Sequence, residues 1–413
     1  MHLPYFVARR LSIYGQRSFS SFIIRIAFIA VSLSVCVMIL GTSITRGYQQ
    51  VITEKFYQCW GHIHVTNFVT DPGNLLNDDK MNYDSNLVNR LASIQGVQAV
   101  YPYRIQSALL KKNELLEGIV LKGLTIDQLA IQMKPFLKSG HLIQAAKENT
   151  TYSNQILISG SLSKLTQLNT GDEAMLFFVK PESIQPKIRK VVIAGVYATG
   201  LEDFDRAFLL CDSRLINSVN DDGPEVIQGY EINVKNTKTI AQLRDEIYQH
   251  HIQPPLQTYS IQDRFGGVFS WLDMMRMNEK IIVILMMVLA VINMITAILI
   301  LILERTPMVG ILKSMGMPPF QIQRVFIYAS MYIVLGGIAL GTALGLLLIL
   351  IQKKWGFLKL DEATYYVKTV PMALAWDQIL LINVVTALAC FILLFIPSII
   401  VFKISPVKAI RFD

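Results

Sequence analysis

Four uncharged apolar runs constrain this 413-residue chain more than any other feature: Ile26–Thr45, Ile281–Leu303, Val325–Ile351 and Ile379–Phe402. Each is long enough, as a helix, to cross a hydrocarbon layer of about 30 Å. A backbone in lipid must satisfy its own N–H and C=O groups, so the runs predict four membrane-spanning helices. The first run exceeds the usual apolar stretch of a secretory signal and no A-x-A site follows, so it reads as an uncleaved anchor. Charged residues make up only 16% of the chain, against about 25% in an ordinary soluble domain, which excludes an ordinary soluble enzyme. Glycine and proline show no period and aromatics reach 10%, which excludes collagen-like and disordered classes.

Charge sets the expected orientation, because short loops rich in Lys and Arg stay on the cytoplasmic side. Arg9, Arg10, Arg17 and Arg25 precede the first run; Arg305, Lys313 and Arg324 lie between the second and third; Lys403, Lys408 and Arg411 follow the fourth. Glu304 and Asp413 are the only acids among them, so these three segments carry the entire net charge of +8. The excess is a topology signal and does not indicate nucleic acid as a partner. Both termini are expected in the cytoplasm and residues 46–280 outside, which makes the chain a multi-pass membrane protein. Cys36 and Cys390 fall in apolar runs, and Cys59 and Cys211, the remaining pair, are expected to be unpaired apolar residues.

The expected divisions are a cytoplasmic amphipathic segment (1–25), crossings at 26–45, 281–303, 325–351 and 379–402, a cytoplasmic loop (304–324), a short periplasmic loop (352–378) and a tail (403–413). Within 46–280 the pattern mixes strands and helices. His62–Phe68, Val97–Leu110 and Gly118–Gly123 read as strands, with a helix at Ser85–Gln95. A similar unit recurs as strand Tyr230–Val234, helix Thr239–His250 and strand Leu256–Tyr259. Between them Gln155–Ser159, Glu173–Val179, Lys190–Tyr197 and Ala207–Cys211 read as strands. The fold class is therefore α-helical membrane with a large external α+β domain, made of a discontinuous α/β lobe (60–130 and 228–260) and an inserted β-rich lobe (135–227). Helical spacing at Tyr48, Val51, Ile52, Lys55 and Phe56, and at Phe265, Phe269, Leu272 and Met275, predicts stalks over 46–58 and 262–280. These are either rigid transmitters of motion or ordinary helix ends packed on the lobe.

Catalytic constellations are poor. No Gly-Lys dipeptide occurs, so the G-x-x-x-x-G-K-[ST] phosphate cradle is absent and ATP-driven work needs a partner. His62-x-His64 and His250–His251 lack the companions of a metal site and read as strand or surface histidines. Ser161 and Lys164 fit S-x-x-K without its companion elements, which reads as coincidence. Glu202, Asp203 and Asp205 read as a solvated turn. No catalytic residue, metal or bound cofactor is expected.

In the membrane runs, Gly337, Gly341 and Gly345 repeat every four residues and line one face that admits another helix closely. Asn293 with Thr296, and Asn383 with Thr386, are three apart, so each pair shares a face expected to point toward protein or a cavity. Residues 304–317 read Glu304-Arg305-Thr306-Pro307-Met308-Val309-Gly310-Ile311-Leu312-Lys313-Ser314-Met315-Gly316-Met317. Pro307 suits a first helical turn, Val309, Leu312 and Met315 make an apolar stripe, and Gly316 ahead of Pro318 stops the helix. A short amphipathic helix of this kind can lie on lipid or plug a groove in a partner.

This segment resembles the E-R-x-x-E-I-G-I-L-K-A-x-G coupling helix of the FtsX/MacB-like ABC-transporter permeases. The opening Phe6-Val7-Ala8-Arg9-Arg10, the stretch Ile292–Thr296 and the ending Pro406–Asp413 are similar to other patterns of that family, in particular its lipoprotein-releasing LolC/LolE branch. The resemblance covers the whole chain. It implies porter-like and sabre-like lobes, and a LolD-like ATPase dimer that binds ATP and Mg and grips Glu304, Arg305, Val309, Gly310, Ile311, Leu312, Lys313 and Gly316. It also implies a second permease copy or paralogue, and lipoproteins released from the inner membrane toward the outer-membrane sorting pathway. Pro307-Met308 departs from the family's charged pair. The loop Lys180–Lys190 is short where the branch carries a hook for a LolA-like chaperone, which makes Pro181, Pro186, Lys187 and Arg189 the candidate chaperone contacts. The lipid surface is expected at Val35, Ile39, Phe269, Leu272, Met275 and Ile282, residues that equally suit a dimer seam. Competing readings are a MacB-like mechanotransmission exporter, an FtsX-like regulator of a cell-wall hydrolase, and a stand-alone membrane-anchored receptor or enzyme.

Overall fold

The computed structural model describes residues 19–71, 73–77, 79–112, 114–145, 151–179 and 185–404. The chain divides into a helical unit (Met1–Gln50, Leu272–Lys359, Thr369–Asp413) and an α/β unit (Val51–Trp271, Leu360–Lys368). The expected N-terminal segment up to residue 18, Pro181 and the tail from residue 405 lie outside the described residues.

Among the described residues four helical stretches are long and apolar enough to cross a membrane: Ile24–Trp60 of the helix Phe19–Trp60, Gly266–Glu304, Pro319–Trp355 and the stretch from Trp376 to Phe402. The last is broken into Trp376–Leu393, Phe395–Ser398 and Ile400–Lys403. Pro397 explains the break, since it has no N–H to donate and its ring crowds the carbonyl of Leu393. Each of the first three helices extends well past its apolar run, so both stalk segments continue membrane helices.

The glycine stripe has its partner within the chain. A Cβ on Gly337 would meet Val31 Cγ1 at 2.9 Å, one on Gly345 would meet Ile39 Cγ2 at 3.2 Å, and one on Gly341 would strike the Ser32 carbonyl and Val35 Cβ. The first and third membrane helices thus approach to backbone distance where only hydrogen occupies the Cβ position. Valine, isoleucine and methionine side chains fill the surrounding core, with Val31, Met38, Ile298, Phe326 and Val334 buried together.

In the α/β unit the strands are β1 (Ile63–Asn67), β2 (Met81–Asn82), β3 (Val97–Lys112), β4 (Leu115–Leu124), β5 (Leu137–Gly140), β6 (Gln155–Ser159), β7 (Glu173–Phe178), β8 (Lys187–Tyr197), β9 (Phe208–Asp212), β10 (Val226–Ile227), β11 (Gly229–Val234) and β12 (Leu256–Ser260). β3 belongs to two layers. Its first half pairs with β11, which continues through β1 to β12 as an antiparallel sheet. Its second half pairs with β4 and β7, and the order β3-β4-β9-β6-β8-β7 returns to β3, closing a ring of six strands. Closure leaves no free edge in the ring except where β5 adds to β8. Burial along β3 alternates after Ile105 but not through Tyr103, Arg104 and Ile105, because all three are covered where the strand passes from sheet to ring.

The ring interior holds Leu110, Leu121, Ile156, Ile158, Leu176 and Ile193, with Leu215, Ile216 and Val219 from the helix Ser213–Asn220. Asp212 caps that helix by accepting from Arg214 N at 3.1 Å. The inserted lobe expected at 135–227 is therefore not closed on itself: its ring requires β3 and β4 from the stretch assigned to the other lobe. Alternation along a strand identifies its two faces but not which neighbour pairs with it, and a long strand can serve two sheets. Several short helices, including Ile126–Met133, Gly160–Thr166 and Glu202–Ala207, occupy stretches read as strand or turn or left unread, being too short for helical periodicity to register.

Candidate functional site

The segment after the second membrane helix forms the helix Thr306–Ser314, with Pro307 in its first turn. Its C-terminus is a Schellman motif: Gly316 N donates to Lys313 O and Met317 N to Leu312 O, each at 3.0 Å. Gly316 has φ +87°, which glycine adopts without a Cβ clash. The expected stripe of Val309, Leu312 and Met315 does not hold as one face. Val309 is fully buried and Leu312 packs beside it, while Ile311 and Met315 point outward at 51% and 77% exposure. Residues 311 and 315 are one turn apart, so the presented face is apolar and flanked by exposed Pro307 and Ser314. Gly310 is buried and Arg305 half-buried, whereas Glu304 and Gly316 are exposed. Lys313 Nζ donates to Ile404 O at 2.7 Å, a cation on the last carbonyls of the fourth membrane helix.

The end of the first membrane helix is seated in the α/β unit by residues that sequence spacing did not indicate. Trp60 ends the helix and is buried between Phe204, Phe208 and Phe265, with ring centroids 5.1–5.6 Å away. Its last carbonyls are capped by cationic and imidazole donors. Lys122 Nζ reaches Cys59 O at 2.5 Å and lies 4.1 Å from the Trp60 ring centroid, and His64 Nε2 donates to Trp60 O at 2.6 Å. Lys122 in turn pairs with Glu231 at 2.6 Å, both side chains at 0% exposure, and Gln128 Nε2 donates to Glu231 at 3.2 Å. Burial, reinforced by the neighbouring Arg264 and Lys122 charges, holds the His64 imidazole well below its usual pKa. Burial also lowers His62, stacked on Tyr57 at 4.4 Å, to about 4. Both are neutral structural groups.

Phe56 packs on Phe265 and Phe269 at 5.2 and 5.9 Å, which joins the two stalk segments within this unit. Residues 360–368, expected as a plain loop, fold with the α/β unit. Lys55 Nζ donates to Tyr366 O at 2.7 Å and Tyr366 donates through its hydroxyl to Asp203 at 3.2 Å. The acidic cluster is likewise not a solvated turn. Asp205 is buried and accepts from Thr199 Oγ1 at 2.8 Å and Gly200 N at 3.0 Å, while desolvation raises its pKa against those bonds.

The six expected lipid-surface residues differ in exposure. Val35 and Ile39 are buried against the glycine stripe and Leu272 is buried, while Phe269 and Met275 are half-buried and Ile282 is 44% exposed. A groove of about 240 Å³ in the helical unit is lined instead by residues around Thr42, Glu279 and Gln378. Of the expected chaperone contacts, Pro186 is exposed, but Lys187 and Arg189 belong to β8, where Lys187 pairs with Asp221 and Arg189 donates to Ser218 O at 3.3 Å. Ser161 points to Glu202 at 3.4 Å and Lys164 is exposed one turn on, so the two form no nucleophile–base pair. Thr342 donates to Asn383 at 3.1 Å and Thr386 is buried, as a protein-facing pair would be, but Thr296 is exposed in this chain. All four cysteines are buried thiols.

Residues 280–406 match the FtsX-like permease C-terminal family. The chain is 20% identical to the lipoprotein-releasing system transmembrane protein LolC of Neisseria meningitidis serogroup B, over 98% of each protein. It is 21% identical to the corresponding protein LolE of Haemophilus influenzae, over 94% of each. Among solved structures, the periplasmic region of MacB from Actinobacillus actinomycetemcomitans is similar at 13% identity, covering 50% of this chain and 91% of that one with a TM-score of 0.35.

Proposed function

We propose that this membrane protein, an FtsX-like permease similar to LolC and LolE, is the transmembrane subunit of an ABC transporter that releases lipoproteins from the inner membrane. The observation that carries the reading is the similarity to lipoprotein-releasing permeases over nearly the whole chain, joined to an outward apolar pair, Ile311 and Met315, on the helix that follows the second crossing. Because the chain has no phosphate cradle, ATP and Mg belong to a partner ATPase, and a dimer of that partner would seat the Thr306–Ser314 helix in a surface groove. The helix is suited to transmit force: its inward face is locked by Val309, its end by the Schellman motif, and Lys313 ties it to the fourth membrane helix.

In this reading both termini are cytoplasmic and the α/β unit is periplasmic, with porter-like and sabre-like parts. The permease works beside a second copy or a paralogue, and cargo passes to a LolA-like chaperone. Acyl chains supply the shared recognition element of the cargo, at about 0.8 kcal/mol per buried CH₂, and nucleotide-driven closure lowers the affinity of the site for them. A photo-crosslinker at Ile282 in native membranes, with captured species identified by mass spectrometry, tests the reading. Acylated proteins held without ATP and lost with it are the expected result. Capture of soluble peptides or of a wall hydrolase in their place overturns it in favour of mechanotransmission.

A further inference from the structure

The groove in the helical unit has a chemistry of its own. It lies at the end of the first, second and fourth membrane helices that leads by chain connection into the α/β unit, since its residues are Thr42, 279–284 and 378–382. Its floor is apolar, made by Val283, Ile284, Leu381 and Ile382, and its rim carries Glu279, Lys280 and Gln378. Leu381 is 61% exposed and Ile284 59%, so the floor opens sideways where lipid tails run. At the rim, Gln378 Oε1 is buried without a donor, and the half-buried Glu279, within hydrogen-bonding reach of Thr42, has no cation ion-paired to it among the described residues. Two guanidiniums act on Glu279, but Arg46 is engaged by Asp377 in a two-pronged pair at 3.1 and 3.0 Å and Arg276 donates to Gln49 Oε1 at 3.1 Å. Lys280 is exposed beside them and forms no ion pair among the described residues.

An acidic acceptor, a second acceptor lacking its proton and an adjacent ammonium, all above an apolar slot, complement a ligand with N–H donors, an anion and a hydrocarbon tail. We propose that this groove binds a phospholipid with a phosphoethanolamine headgroup. The primary ammonium donates to Glu279 and Gln378 Oε1, Lys280 meets the phosphate, and one acyl chain lies on Ile284 and Leu381. A choline headgroup has no N–H to give Gln378, and a glycerol headgroup has no cation for Glu279, so the site discriminates among lipids of equal tail length. This site is separate from the cargo reading and does not depend on it.

The full-length chain, purified in detergent, is exposed to equimolar dioleoyl phosphatidylethanolamine, phosphatidylcholine and phosphatidylglycerol, and retained lipid is counted by native mass spectrometry. Hydrogen bonds to a charged group predict retention of the ethanolamine lipid roughly tenfold over the other two. Glu279→Gln should bring it to the level of phosphatidylcholine, and Lys280→Gln should weaken all three. Ile284→Trp, which fills the slot without touching a charge, should displace every lipid and guards against misfolding of the rim variants. Equal retention of the three lipids by the natural chain, preference for phosphatidylglycerol, or unchanged selectivity in Glu279→Gln overturns the proposal.

Discussion

The two units differ in how they bury their most costly polar groups. In the membrane helices several hydroxyls turn back on their own backbone: Ser32 donates to Phe28 O at 2.7 Å, Thr42 to Met38 O at 2.6 Å and Ser330 to Phe326 O at 2.8 Å, each four residues back. In the α/β unit full charges are buried and paired over long sequence distances, as with Lys122 and Glu231, or Arg104 with Asp222 and Asn217. The difference follows from the unfolded reference. A helix inserted in lipid already has its backbone satisfied and can hide a hydroxyl within one turn, whereas a water-soluble chain folds from a state in which each charge was hydrated. Burial of a charge is tolerable there only when a partner is built in.

That contrast can be broken most forcefully at Lys122. Lys122→Met leaves Glu231 buried and unpaired, and should cost about 3–5 kcal/mol of stability in the α/β unit. Chemical denaturation of the full chain, followed through buried Trp60, is the measurement. The double variant Lys122→Met, Glu231→Leu should recover most of the loss; if the double is as unstable as the single, the pair is not the cause.

Overpacking is the corresponding injury to the helical unit. Gly341→Ala places a methyl against the Ser32 carbonyl and Val35, and should cost about 1–3 kcal/mol, read as a lower thermal midpoint in detergent. Gly118→Ala, where a Cβ meets nothing within 4 Å, is the control expected to leave helix packing untouched. Equal midpoints for Gly341→Ala and the natural chain would mean the two helices can separate freely.

Acid should distinguish the units next. The folded pKa of His64 lies well below 6.5 and that of His62 near 4, so the unfolded chain binds more protons between about 6.5 and 4. Stability is therefore full above 6.5 and falls as pH drops through that window. Trp60 fluorescence should report earlier denaturation of the α/β unit at pH 5 than at pH 7, and His62→Asn should shrink the difference. A pH-independent profile would place the proton uptake elsewhere.

The smallest expected effect belongs to the self-bonded hydroxyls. Side-chain bonds between membrane helices average about 0.6 kcal/mol, and Ser330→Ala removes only a bond within one helical turn, so it should move the thermal midpoint of the full chain little. A loss comparable with Lys122→Met would erase the distinction between the units.

How much of this was legible follows range of interaction. The four crossings were readable because a lipid-spanning helix must be apolar along consecutive residues. The stop at Gly316 was readable because a left-handed residue at a helix end favours glycine. The glycine stripe announced a close helix but not which one. The orientation of Met315 was misread because three residues at helical spacing define a face only once the helix has been docked. The cap on Cys59 and Trp60 was invisible: Lys122 and Glu231 stand more than sixty and a hundred and seventy residues away, and nothing local marks a lysine as destined for burial.

By itself, then, the sequence determined the solvent of each segment, the number and length of the crossings, and the local start and stop signals of strands and helices. Those depend on composition and periodicity over a few turns. Only the tertiary structure decided that β3 serves both a sheet and a closed ring, that residues 360–368 fold with the α/β unit, and that Glu279 and Gln378 share a groove. Each of these is set by which surfaces meet, a choice made by the summed burial of the whole chain and written in no single stretch of it.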